Sequence, residues 1–283
     1  MRWPAHAPFY DFGYYGPGSV AWKVNREWAV LLGGTRAVLL QLAHPLVALG
    51  VSNHSNYMTD PFGRAERTFV LGEMLTFGPT HTAHRAARTI NNLHKHVHGH
   101  LPAAAGPFAD GTRYDARDPR LLLWVHATLV DTLLLSYTVF VGPLTHAEEA
   151  QYYEESKDIA HLLGLLPEHM PEGIDDLRHY VHTMVHSDQL VPTIQARELA
   201  RQTLFPPAPG VLRPFMHLNL NITNALLPQT VREIYSLEWS RSQQLAFTAF
   251  ARSLRLVVPR LPAQLRALPI TRRLMRGEAR TSA

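Results

Sequence analysis

Residues 121–142, LLLWVHATLVDTLLLSYTVFVG, restrict the fold of this chain more than any other segment. A run this long and apolar either crosses a bilayer or lies inside a helical domain that buries it nearly all round. His126 and Asp131 lie within it, and an Asp at mid-bilayer costs about 2.5–3.5 kcal/mol on insertion scales. The run is therefore expected to be the central helix of a large α-domain. Enclosing it takes material, and 283 residues at 46% hydrophobic and 18% charged composition supply it.

Helical periodicity dominates the rest of the chain. Helices are predicted over 20–32, 35–49 with a kink at Pro45, 61–77, 82–97, 119–141 and 145–163. Further ones are predicted over 172–187, 192–203, 228–235 and 239–257. Thr35, Asp60 and Asp118 sit where N-caps belong, and Thr145 with Glu148 forms a capping-box pattern. A Gly/Ala/Pro-rich loop covers 100–111, and 206–214 reads as a Pro-rich connection. No alternating run bounded by turn signals marks a strand. The expectation is an all-α fold of about nine or ten helices, with a helical domain over 1–258 and a basic extension over 259–283.

Charge and composition exclude several function classes. From Arg252 onward the chain carries eight arginines and one acid, +7 locally against a formal total of +4, so residues 1–251 carry −3. The body is thus not a nucleic-acid-binding surface, and only the tail is basic. That tail is a candidate for peripheral contact with an anionic membrane, against the alternatives of a solvated extension or one packed back across a pocket mouth. The start, Met-Arg-Trp-Pro-Ala-His, has no apolar h-region, so a cytoplasmic or membrane-peripheral location is expected. With no cysteine, disulfides, thiolate metal sites and cysteine nucleophiles are ruled out. Common nucleotide and hydrolase signatures such as G-x-G-x-x-G, G-x-S-x-G and H-E-x-x-H are absent as well.

Histidine is over-used: 17 residues, against about fourteen for equal use of all residue types. His94 and His98 are four apart, on one face if the helix continues, and would need a further ligand to hold a metal. His96 and His98 equally suit the negative end of a helix dipole. Arg64 and Thr68 share a helix face, which by itself is an ordinary polar surface. His44 beside Pro45 reads as a core group satisfied by a freed carbonyl, and His126 as a core or supporting group.

Five blocks join these clusters: LLGGTRAVLLQLAHPLVALGVSNHS, DPFGRAERT, NNLHKHVHG, YDARDPRLLLWVHATL and PLTHAEEAQYYEE. In this order and spacing, from about Gly16 to about Leu256, the chain resembles the rubber oxygenase catalytic domain family of latex clearing proteins and MpaB-like oxygenases. The resemblance implies an all-helical fold around a b-type haem. His94 matches the proximal iron ligand of the H-x-x-V-x-G pattern, with Val97 and Gly99 in place. Arg64 and Thr68 match residues near the other face of the haem, and His126 one close to it that does not ligate iron.

Two departures stand out. Arg67 occupies a position where latex clearing proteins carry a lysine able to ligate iron, and a guanidinium has no lone pair to give. No Glu lies between His44 and Arg64, which argues against polyisoprene cleavage. The resemblance thus implies a haem b-dependent oxygenase that takes dioxygen and an apolar small-molecule or lipid-like substrate. The alternatives are a haem-binding carrier, sensor or peroxidase-like protein, or a non-haem member in which His94, His98 and a further His hold a metal.

Overall fold

The computed structural model describes residues 11–55 and 60–276. Among them are fourteen α-helices and one two-stranded sheet. In chain order the first helices are α1 (Val20–Asn25), α2 (Gly34–Leu42), α3 (Pro45–His54), α4 (Pro61–Phe77) and α5 (Thr80–His94). Strands β1 (His98–His100) and β2 (Arg113–Asp115) follow, then α6 (Pro119–Phe140), α7 (His146–Leu162), α8 (Ile174–Val185) and α9 (Ile194–Leu204). The last are α10 (Arg213–Leu226), α11 (Gln229–Ile234), α12 (Arg241–Val257), α13 (Ala263–Arg266) and α14 (Pro269–Met275).

The fold is all-α, as expected, with more and shorter helices. The helix predicted over 20–32 is α1 followed by a 3₁₀ turn at Trp28–Gly33. The break falls at Glu27, a fully buried carboxylate that takes Arg26 as one partner. Residues 35–49 do not form one kinked helix. Pro45 opens a new helix, and the two segments meet at 105°. Thr35 is not a cap: its hydroxyl lies inside α2 and donates to Asn219 of α10 at 3.1 Å. Helix α10 starts at the end of the Pro-rich connection and fills a stretch for which no helix was predicted, with Pro214 in its first turn. The predicted caps at Asp60, Asp118 and Thr145 are all present, the last as a complete capping box.

Helix α6 is the axle of the molecule. It packs against the 3₁₀ turn, α2, α7, α8 and α12. By length and composition it alone among the described helices could cross a membrane unaided, yet its polar groups are spent on neighbouring helices. Arg36 of α2, 4% exposed, donates to Asp131 at 2.6 Å, to Thr132 and to the Leu226 carbonyl at 2.8 Å. Gln41 donates to Thr128 at 3.2 Å, and the Trp124 indole donates to the Leu40 carbonyl at 3.2 Å. Gly33 lets the 3₁₀ turn touch α6: a Cβ there would lie 2.0 Å from the Ser136 hydroxyl.

Helices α4 and α5 form an antiparallel hairpin turning at Gly78-Pro79. Leu71, Met74 and Leu75 of α4 meet Ala86, Ala87 and Ile90 of α5, with Ile159 and Leu162 of α7 closing the layer. The chain before α1 braces the turn. Asp11 accepts from the Thr80 amide at 2.7 Å and hydroxyl at 2.8 Å, so a distant residue caps α5.

Residues beyond α12 dock on the body. Arg266 holds Glu27 through two nitrogens, at 2.7 and 2.9 Å. Helix α14 lies on α4, with Thr271 and Leu274 buried. There the Thr271 hydroxyl donates to Glu73 at 2.5 Å. Burial raises the Glu73 carboxyl from 4.5 to about 7, and the Thr271 bond offsets only part of that. Because the folded value exceeds the unfolded one, this contact is fully stabilising below about pH 4.5 and weakens as pH rises through about 7. Glu73→Gln should therefore leave the melting temperature unchanged at pH 4.5 and raise it at pH 8. The gain has an upper bound of about 3 kcal/mol. Calorimetry at the two pH values checks this, and a loss of stability at pH 8 would contradict it.

Candidate functional site

The hairpin of α4 and α5 brings three of the four expected residues to one end. Arg64 and Thr68 lie in the first two turns of α4, and His94 is the last residue of α5. Further along the hairpin, Leu71 and Ile90 pack against the shared cluster of Leu75, Ala86 and Ala87. The fourth residue, His126, is on α6 and faces α7, where its Nε2 lies 3.3 Å from the Ser156 hydroxyl. Ser156 is one turn before Ile159 in the layer that α7 shares with α5. No hydrogen bond among the described residues joins His126 to the other three.

Arg64 is aimed by its surroundings. Asp60 caps α4 through the Gly63 amide at 2.9 Å, and its carbonyl accepts from the Arg64 amide at 3.0 Å. The Arg64 side chain is half-buried and donates through Nε to the Ser55 hydroxyl, at the end of α3, at 2.9 Å. Thr68 is exposed. Arg67 is exposed as well and donates to Asp60 at 3.0 Å, an ion pair at the mouth of the helix.

His94 is half-buried. Its Nδ1 is buried and has no hydrogen-bond partner. Burial lowers its pKa from 6.5, against a smaller opposing pull from Asp115, so the imidazole is neutral near pH 7. Just before it, Asn91 anchors the helix end by donating to the Leu162 carbonyl of α7 at 2.9 Å. The chain then leaves the helix: the Val97 amide bonds the His94 carbonyl at 3.1 Å, and β1 begins at His98.

This exit corrects two expectations. The helix does not run to Val97, so His94 and His98 do not share a helix face, and His98 is exposed on a strand. A strand pair also exists where none was read, because three-residue strands are too short to show alternation. Its register sets His98 opposite Asp115, Gly99 opposite Tyr114 and His100 opposite Arg113. Among the described residues no group of three His, Asp or Glu is placed to hold a metal ion, so the His94–His98 metal reading has no third ligand.

Among the described residues, two further imidazoles are shifted by burial, half-buried His126 and buried His44. Burial lowers His126 to about 4, with Lys157 adding to the effect, so it is a neutral group bonded to Ser156. Burial likewise takes His44 to about 4. Its ring packs on Phe108 at 5.1 Å, and its Nδ1 lacks a partner. The expected freed carbonyl does not serve it; the nearby Ala43 carbonyl accepts the Val191 amide at 3.0 Å instead.

Tyr114 is a residue that the sequence did not single out. Its buried hydroxyl meets His54 Nε2 at 3.1 Å and Asn53 Nδ2 at 3.3 Å, tying β2 to the end of α3. The pairing of Gly99 with Tyr114 across a twelve-residue loop leaves no local signal. A Cβ on Gly99 would lie 2.7 Å from that hydroxyl, so the glycine of the H-x-x-V-x-G pattern is needed for close approach. Val97 meanwhile covers Gly50 of α3. Gly99→Ala should cost about 1–3 kcal/mol in urea unfolding, and much less when Tyr114→Ala is already present. An equal cost in both backgrounds would refute the contact as its cause.

Two mycobacterial proteins, Mb2261 of Mycobacterium bovis and Rv2237 of Mycobacterium tuberculosis, both described as uncharacterized, are each 29% identical over 236 residues. The aligned region is 80% of this chain and 87% of each relative. No solved structure matches. The family model for "ER-bound oxygenase mpaB/B'/Rubber oxygenase, catalytic domain" matches residues 22–256, which include α4, α5, α6 and all four residues discussed above. The chain belongs to the MpaB and rubber oxygenase catalytic domain family.

Proposed function

We propose that this protein is a haem b-dependent oxygenase acting on an apolar small-molecule or lipid-like substrate, with His94 as a ligand to the haem iron. The observation that carries the reading is the His94 ring: neutral, half-buried at a helix end, and with a buried nitrogen that no protein group uses. Membership of an oxygenase family supplies the reaction class. Haem iron needs one imidazole from the protein, whereas a bare metal ion needs three or four ligands. The residues present therefore fit a haem better than a bare ion.

Haem, when bound, supplies the one-electron and dioxygen chemistry that no side chain of this chain can perform. Arg64 supplies a permanent positive charge held in place by Ser55, suited to a propionate or to negative charge developing on dioxygen. Thr68 supplies a hydroxyl one turn along the same face. His126 stays neutral and bonded to Ser156, a polar group beside the site without a ligating role. Arg67 is engaged with Asp60 and offers no lone pair, so this chain does not provide the lysine ligand of latex clearing proteins.

His94→Ala should abolish haem uptake in a pyridine haemochrome assay. Thr68→Ala should keep about one haem per chain and lose oxygen consumption with apolar substrates. Full haem occupancy in His94→Ala would defeat the ligand assignment. Haem bound at that stoichiometry without oxygen uptake on any apolar substrate would favour a carrier or sensor.

A further inference from the structure

The C-terminal helices close a cavity that plays no part in the site above. It lies between α1, α13 and α14 and has a volume of about 310 Å³. Arg26, Arg266, Arg272 and Arg276 line it, together with the apolar surfaces of Trp22 and Met275. One acid stands behind its wall. Glu27 is fully buried, and its oxygens are taken by Arg266 at 2.7 and 2.9 Å and by Arg26 at 3.2 Å.

Arg272 and Arg276 are four residues apart and so lie on one face of the final helical turns. Neither has a carboxylate within ion-pair reach among the described residues. Guanidinium groups do not deprotonate in proteins. Among the described residues, four guanidiniums against one carboxylate thus leave three positive charges around a single pocket. Like charges at such range repel by more than they would in open water.

We propose that this cavity is an anion site that binds a phosphomonoester with an apolar body. A phosphomonoester brings close to two negative charges and three acceptor oxygens, which matches several guanidinium forks. A carboxylate would bring one charge and two oxygens, and would leave most of the excess unbalanced. The apolar atoms of Pro17, Ala263 and Met275 along its wall suit the first carbons of an alkyl chain. The volume is at the low end for small-molecule pockets, about 300–1,000 Å³, enough for a phosphate and a short apolar segment. The phosphate has two sources: a soluble phosphoester, or the headgroup of phosphatidic acid in a bilayer, whose acyl chains would stay outside near exposed Leu265.

The test is isothermal titration of the full-length protein with hexyl phosphate, inorganic phosphate and hexanol. Hexyl phosphate should bind roughly tenfold more tightly than inorganic phosphate, and hexanol should give no heat. Arg272→Gln with Arg276→Gln should weaken hexyl phosphate roughly tenfold, whereas Arg252→Gln with Arg255→Gln, equal in charge but outside the cavity, should change it by less than about twofold. No binding, or equal losses in both double variants, overturns the proposal. Should the first pair fail to fold, the exposed Arg276→Gln alone carries the same comparison. Co-sedimentation with phosphatidic acid vesicles but not phosphatidylcholine, lost in Arg272→Gln/Arg276→Gln, assigns the lipid source. Hexyl phosphate binding without vesicle binding assigns the soluble one.

Discussion

A carboxylate in the most apolar helix of the chain has to be matched, and Arg36 matches it. Buried alone, either charge would cost several kcal/mol. Together with Thr132 and the Leu226 carbonyl, the Arg36 guanidinium and Asp131 lock α2, α6 and α10 to one another. The rest of the site frame follows from that lock. With α2 fixed on α6, the 105° bend before Pro45 sets the direction of α3. The end of α3 then delivers Ser55 to Arg64, and Asn53 and His54 to Tyr114. A substitution at Arg36 would therefore disturb both helix packing and the residues that aim Arg64, although the partners of Arg36 lie on α6 and α10 and not on the hairpin.

Two buried acids tie the C-terminal helices to this frame in different ways. Glu27 receives a two-pronged guanidinium from Arg266, the donor geometry that matches a carboxylate through two hydrogen bonds. Glu73 receives only the Thr271 hydroxyl, which compensates a neutral carboxyl better than an ionised one, and its pKa rises accordingly. The first contact anchors the extension through those two hydrogen bonds. The second makes the seat of α14 on α4 sensitive to pH near 7. Because α4 also carries Arg64 and Thr68, loosening of α14 is felt on the helix that bears the site.

What the sequence disclosed follows the range of the interactions concerned. Asp60, Asp118 and Thr145 cap as read, because a cap involves residues two or three positions apart. The central helix was legible because apolarity all round leaves one solution once Asp131 argues against a bilayer. The split at Glu27, the Gly99–Tyr114 pairing and the docking of α14 rest on partners far along the chain, and nothing local announces them. For the candidate site, Arg64, Thr68 and His94 were singled out by the family resemblance, not by spacing alone. Ser55 and Ser156, which support Arg64 and His126, were not, since a lone serine carries no pattern.

The histidine excess invites a metal-cluster explanation, and the surroundings of each ring weigh against it. His84 bonds Tyr14, His54 bonds Tyr114, His146 pairs with Asp175, and His182 packs on His186. Among the described histidines, only His44 and His94 keep a buried ring nitrogen without a partner. His44 is 4% exposed behind Phe108, and it heads α3, where the positive end of the helix dipole disfavours a cationic ring. His94 is half-buried at the open end of a hairpin whose opposite helix presents a guanidinium and a hydroxyl. One neutral imidazole is too little for a bare ion, and it would suffice for the haem proposed above. The distribution of partners among the histidines, rather than their number, is what favours a macrocyclic cofactor.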